Sequence, residues 1–140
     1  MPVSDLARED VVSVDPSTPV SELASTMAQA DVGSVLVTEG DQPVGIVTDR
    51  DLAVRMLPDA IDPESVSAED VMSDDLATVE SNAGFLEAAE TMSDHGVRRL
   101  PVVDGNDDLA GIITVDDLTE LLADEQQHVA EVLRAQRPPY

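Results

Sequence analysis

VGIVTDRDL, spanning Val44 to Leu52, returns as AGIITVDDL from Ala110 to Leu118. Each copy is a β-rich run that ends in Thr, with an acid three residues later where the pattern opens a helix. A strand-to-helix junction present twice predicts one ligand-handling unit that has been duplicated. The duplication extends backwards along the chain. A shift of about 65 residues sets Asp5 on Asp70, Val14 on Val79, Glu22 on Glu87, Met27 on Met92, Val32 on Val97 and Val37 on Val102. One extra residue in the second copy then brings Gly45 onto Gly111 and Thr48 onto Thr114. Two copies of such length are too few and too long for a helical or leucine-rich solenoid.

The 140 residues, 42% of them hydrophobic, suffice for one compact domain or two halves sharing a core. No apolar run approaches the ~18 residues of a membrane span, and the opening MPVSDLARED lacks the basic and apolar regions of a signal peptide. The expectation is a soluble, cytoplasmic protein. The absence of cysteine excludes disulfides, thiolate metal sites and cysteine nucleophiles.

Thirty acidic residues stand against seven basic ones, all Arg, for a formal charge of −23. Regular apolar periodicity places this acid on a folded surface rather than in a disordered chain. At molar salt the screening length is ~3 Å and the self-repulsion largely vanishes. The composition therefore predicts a salt-rich cytoplasm, as in a halophilic archaeon. The plainer alternative is an acidic protein of ordinary cytosol. On either reading, nucleic acid and anionic membrane are excluded as partners, because affinity for them rests on clustered Lys and Arg.

In the first copy, VVSV (Val11 to Val14) reads as a short strand closed by Asp15-Pro16. Thr18 is the expected N-cap of a helix with Pro19 in its first turn and Val20, Leu23, Met27 and Ala30 on one face. SVLVT (Ser34 to Thr38) and PVGIVT (Pro43 to Thr48) follow as strands, then a helix from about Asp49 to Leu57. The second copy repeats the order with LATV, a helix carrying Phe85, Ala88, Ala89 and Met92, RLPVV, AGIIT and a helix from Asp116. The predicted class is α/β in the α+β sense: two β-α-β-β-α repeats packed sheet to sheet about a pseudo-two-fold axis. Repeat 1 covers residues 1–57, a linker 58–65, repeat 2 residues 66–122, and a helical extension and tail 123–140.

Thr48 with Asp51, and Thr114 with Asp117, admit two readings. A Thr N-cap and an acid three residues on form a capping box that needs no ligand. The same hydroxyl, helix N–H groups and carboxylate also suit a phosphate and the hydroxyls of a ribose. His95 matches Ala30 on the apolar helix face and reads as a packed or edge histidine rather than a metal ligand, and His128 is distant from it. Asp74-Asp75 and Asp107-Asp108 lack the spacing of a calcium loop. No nucleophile with a base, no HExxH and no glycine-rich phosphate loop is present, so nothing points to an enzyme.

The G-h-h-T-x-x-D-h phrase (h, apolar) in both copies, the order of elements, and GVRRLPVVD from Gly96 to Asp104 together resemble the cystathionine-β-synthase (CBS) domain, in the tandem arrangement called a Bateman module. The resemblance covers Val3 to about Leu122. It implies a regulatory module that holds an adenosyl ligand such as AMP, ADP, ATP or S-adenosylmethionine in clefts between the repeats, with no required cofactor. Some members bind no ligand and serve as dimerisation or interaction modules. By position, Asp51 and Asp117 would hold ribose hydroxyls, Thr48 and Thr114 would lie beside them, and Arg98 and Arg99 resemble a basic pair that faces phosphate. Ser13, Thr18, Val32 and Gly33 would line the cleft of Asp117; Thr78, Ala83 and Val97 that of Asp51. The Asp117 cleft, with Arg98 and Arg99, is the first choice for a phosphorylated ligand, and Arg50 makes the Asp51 cleft the second. An apolar stripe through Leu118, Leu121, Leu122, Val129, Val132 and Leu133 has no repeat to receive it, and a homodimer and an unidentified effector protein are the expected partners.

Overall fold

A computed structural model of the chain describes residues 1–139. In the first repeat β1 (Ser13–Val14), α1 (Val20–Ala30), β2 (Ser34–Glu39), β3 (Gln42–Thr48) and α2 (Asp49–Met56) follow one another. A short helix, α3 (Ala68–Val71), opens the second, which continues through β4 (Val79–Glu80), α4 (Phe85–His95), β5 (Arg99–Val103), β6 (Leu109–Thr114) and α5 (Val115–Ala135). Each repeat forms a three-stranded sheet in sequence order, parallel at its first pair and antiparallel at its second. The fold is α+β, with helices on one face of each sheet.

Strand alternation divides the apolar residues between two layers. Val35, Val37 and Val47 join Val20, Leu23 and Met27 of α1 in one core; Leu100, Val102 and Ile113 join Ala88 and Met92 of α4 in the other. Leu36 and Pro101 point to the opposite faces yet are fully buried. Through those faces the two sheets meet, so each repeat depends on the other for burial.

The two repeats also exchange their leading segments. Val3, in a single 3-10 turn, is packed in the second repeat's core, and Ala68 and Val71 of α3 in the first's. Backbone pairs fix both crossings. Arg8 and Ile112 exchange bonds of 2.9 and 3.0 Å, and Ser73 and Ile46 exchange bonds of 3.0 and 3.1 Å. The crossings explain the glycine of each repeated phrase. A Cβ on Gly111 would stand 2.8 Å from the Arg8 carbonyl oxygen, and one on Gly45 would overlap the Met72 sulfur.

Several local expectations are corrected. Thr18 is not the cap of α1: the cap position is Pro19, which makes no side-chain bond. The first helical N–H groups donate instead to the linker and the start of repeat 2, Ser21 to Pro63 O (3.1 Å) and Val20 to Val66 O (2.9 Å), while the Thr18 carbonyl accepts from Ala68 N. A backbone partner from outside the repeat has replaced the side-chain cap. Only Ser13–Val14 of VVSV and Val79 of LATV are strand, and Ala30 and His95 are exposed. The His95 ring bonds the Thr91 carbonyl at 2.9 Å. α5 runs unbroken past Leu122, and beyond Leu121 all of its residues except Ala130 are exposed.

The crossings predict unequal costs for two like substitutions. Gly111→Ala meets backbone and must push residues 7–8 off β6, whereas Gly45→Ala meets the Met72 side chain from Sδ back to Cβ, which can shift without breaking the crossing. Chemical denaturation should show a larger loss for Gly111→Ala, about 2 kcal/mol or more, than for Gly45→Ala, about 1 kcal/mol, in the range of overpacked cores. Equal losses would contradict the difference between a backbone and a side-chain neighbour, and no loss from either would contradict the crossed arrangement.

Candidate functional site

Thr48 ends β3 and caps α2, because the chain turns there from extended to helical geometry. Asp51 N donates to Thr48 Oγ1 at 3.1 Å and Thr48 N to Asp51 Oδ2 at 2.9 Å. At the second junction Asp117 N donates to Thr114 Oγ1 at 3.3 Å, and Thr114 N and Oγ1 donate to Asp117 Oδ2 at 2.8 and 2.9 Å. Both capping boxes are complete. Each uses only one carboxylate oxygen, so capping and ligand binding do not compete for the same atom.

The second oxygens differ. Asp51 Oδ1 accepts no hydrogen bond among the described residues, and its ion-pair partner Arg55 Nε stays 4.0 Å away. Arg55 is drawn aside, donating through Nη1 to the Val71 carbonyl at 2.9 Å. Asp117 Oδ1 accepts from both Nε and Nη2 of Arg8 at 3.3 Å. The Asp117 side chain is accordingly 8% exposed and that of Asp51 21%. Arg8 is a site residue absent from the sequence-based expectations. Its trace in the sequence is the repeat alignment, which sets Arg8 on Ser73 and so breaks the symmetry at this point.

Two related cavities open between the repeats. The first, about 370 Å³, is bordered by Thr48, Arg50 and Asp51 from repeat 1 and by Leu76, Ala77, Val97, Arg98 and Arg99 from repeat 2. The second, about 280 Å³, has Thr114 and Ile112 on one side and Val11, Val12, Val32 and Gly33 on the other, with Arg8 and Arg99. Val32 and Gly33 thus border the Thr114 cavity, and Val97 borders that of Asp51. Ser13 borders neither: it lies at a separate acidic hollow with Thr38, Asp41 and Asp108. Thr18 borders neither cavity, Thr78 is exposed and Ala83 is buried in the second core. Val11-Val12 and Leu76-Ala77 take those places, because β1 and β4 begin later than the apolar runs suggest.

The grouping of Arg98 and Arg99 with Asp117 is also corrected. Each cavity joins the strand-to-helix junction of one repeat to the loop before the second strand of the other; Asp51 borders the first, whereas Asp117 does not border the second. Gly33 and Ser34 therefore serve the Thr114 cavity, and their equivalents Arg98 and Arg99 serve that of Asp51; Arg99 reaches both. Three of the seven arginines surround the first cavity, facing Asp49, Asp51 and Asp75. In a chain of charge −23 this formally balanced patch is an anomaly that suits a small anion. Arg98 holds only a 4.0 Å contact to Asp116, with both side chains exposed, so it stays available. Among the described residues no three His, Cys, Asp or Glu gather to hold a metal ion, and no helix is long and apolar enough to cross a membrane.

Known proteins share this architecture. The chain is 40% identical over 120 residues to an uncharacterized protein of Methanopyrus kandleri, covering 85% of this chain and 61% of that one. It is 37% identical over 116 residues to the CBS domain-containing protein YhcV of Bacillus subtilis, covering 83% and 81% of the two chains. A CBS domain protein from Pyrobaculum aerophilum, solved in complex with AMP, superposes with a TM-score of 0.75 at 27% identity over 84% of this chain and 89% of that one. The sequence profile of the CBS domain matches twice, at residues 3–57 and 68–124, and the chain belongs to the CBS domain family as a tandem pair.

Proposed function

We propose that this chain is a non-catalytic cytoplasmic regulatory module that binds AMP, or a related adenosyl ligand, in the Thr48–Asp51 cavity. The observation that carries the proposal is the free Asp51 Oδ1 at the edge of a cavity ringed by Arg50, Arg98 and Arg99. A carboxylate oxygen with open lone pairs accepts from ribose hydroxyls, and guanidinium groups fork onto phosphate. Val97, Leu76 and Ala77 supply apolar surface for the base. The acids Asp49 and Asp75 on the rim disfavour a longer phosphate chain, so AMP should bind more tightly than ADP or ATP. The AMP complex of the P. aerophilum relative supports the ligand class. Occupancy would reach an effector through a change between repeats or between chains, provided the ligand prefers one state.

The complete capping boxes favour one other reading, a ligand-free interaction module. Thermal unfolding in molar KCl with AMP, ADP, ATP, S-adenosylmethionine and NAD separates the two. A ligand at a hundred times its dissociation constant should add ~2.7 kcal/mol. Asp51→Asn should weaken AMP about ten- to hundredfold by titration calorimetry, the loss of charged-acceptor hydrogen bonds worth ~1.5–3 kcal/mol. A midpoint unmoved by every compound favours the ligand-free module.

A second copy of the chain is the proposed cover for the free end of α5. Leu122, Val129, Val132 and Leu133 are each more than half exposed there. Acids predominate in the early part of α5 at Asp116, Glu120, Asp124 and Glu125, while its last turn has Arg134 against the single acid Glu131, with Arg137 just beyond. Antiparallel pairing sets each copy's arginines against the other's acids and buries both apolar stripes. Light scattering should find a dimer for the parent and a monomer for Val129→Glu/Leu133→Glu; a dimeric double variant excludes this pairing.

The acidic surface fits a salt-rich cytoplasm. At the hairpin ends, where Leu109 N donates to Asp41 O at 2.8 Å, partial burial and the charges of Asp104, Asp41 and Asp107 raise the Asp108 pKa. A raised folded value means that stability is greatest below the ordinary carboxylate range and falls as pH rises through the shifted value. At neutral pH the partly buried charge and its repulsion by the neighbouring acids both oppose folding, and salt screens the repulsion. Asp108→Asn should raise the unfolding midpoint at ~0.1 M KCl and lose part of that advantage at ~1 M, where screening shortens from ~10 to ~3 Å. An advantage independent of salt would remove this support.

A further inference from the structure

The second cavity shares the backbone frame of the first but not its side chains: Gly33 and Ser34 stand in place of Arg98 and Arg99, Asp10 and Asp31 border it, and its carboxylate, Asp117, lies behind Arg8 rather than on the lining. Asp117 is a doubly accepting group with about four lone-pair sites. All are taken: Oδ2 by Thr114 N and Oγ1, and Oδ1 by Arg8 Nε and Nη2. A ribose needs acceptors for two hydroxyls and finds none. Arg8 reaches this position because its backbone is paired in both directions with Ile112, directly beside the junction. At the first cavity the same backbone position is Ser73, paired in the same way with Ile46, and its side chain is too short to fill the site.

We infer that Arg8 is a built-in occupant of the second cleft, so that the chain takes one adenosyl ligand where its duplicated architecture would otherwise take two. The inference rests on the nucleotide reading of the first cavity and adds what determines stoichiometry. A ligand entering the second cleft must first separate a charge-assisted pair whose carboxylate is almost fully buried, a handicap of about ten- to hundredfold in affinity. The Arg8 side chain is 65% exposed, so its removal leaves the backbone crossing and the cores intact. The asymmetry has a use in regulation. A single filled cleft biases the angle between repeats in one direction, whereas two equivalent ligands would load both sides alike.

The decisive experiment titrates AMP calorimetrically, in molar KCl, into the parent chain, Arg8→Ser, Asp51→Asn and Arg8→Ser/Asp117→Asn. Arg8→Ser reproduces the residue present at the equivalent crossing, Ser73. The expected result is one equivalent per chain for the parent, two for Arg8→Ser, and one again for Arg8→Ser/Asp117→Asn. Asp51→Asn should weaken the parent's single site about ten- to hundredfold. Two equivalents of similar affinity in the parent, or one unchanged equivalent in Arg8→Ser, overturn the inference while leaving the nucleotide reading in place. Weakened binding in Arg8→Ser overturns it differently, making Arg8 a phosphate ligand rather than an occupant. No AMP bound by either the parent or Arg8→Ser removes the nucleotide reading itself, and the inference with it.

Discussion

The rest of the structure depends on two backbone crossings, Arg8 with Ile112 and Ser73 with Ile46, in which the leading segment of each repeat pairs with the last strand of the other. A three-stranded sheet with two helices in a repeat of this length is marginal alone. The crossing supplies the missing part, inserting Val3 into one core and Ala68 and Val71 into the other. It also determines where the cavities form. Each crossing segment, continuing into Asp10–Val12 or Asp75–Ala77, becomes one wall of a cleft whose opposite wall is the strand-to-helix junction at Thr114 or Thr48. Gly45 and Gly111 are small because another chain segment lies over them.

The same two-fold logic makes the differences between the clefts interpretable. Equivalent backbone carries Ser73 on one side and Arg8 on the other, Arg98-Arg99 on one and Gly33-Ser34 on the other. Arginine is thus supplied to the phosphate side of the first cleft and to the carboxylate of the second. One substitution pattern leaves Asp51 open, and the other fills Asp117. The copies have kept a common frame while their chemistry has diverged.

Much of this frame is legible in the residues themselves. The period of Val20, Leu23 and Met27, the β-rich run RLPVV and the Thr-x-x-Asp junctions read directly as α1, β5 and two capped helices, because each rests on local geometry. The clefts are legible in their Thr and Asp residues and in Val32, Gly33 and Val97. Their other wall is not. The resemblance puts Ser13 and Thr18 on that wall, whereas Val11 and Val12 border the cavity and distant backbone carbonyls hold the capping role expected of Thr18. Crossing segments pair through main-chain groups, which any residue type supplies. The pairing of Arg98 with Asp51 rather than Asp117 follows from symmetry alone, but only once the exchange of walls is visible.

The most direct test of the account is a crystal structure of the chain grown with AMP in molar KCl. The account predicts AMP in the Thr48–Asp51 cavity, its ribose hydroxyls on Asp51 Oδ1 and its phosphate beside Arg98 and Arg99, with the Arg8–Asp117 pair intact. AMP seated against Asp117 with Arg8 displaced, or saturating AMP with both cavities unoccupied, would contradict it.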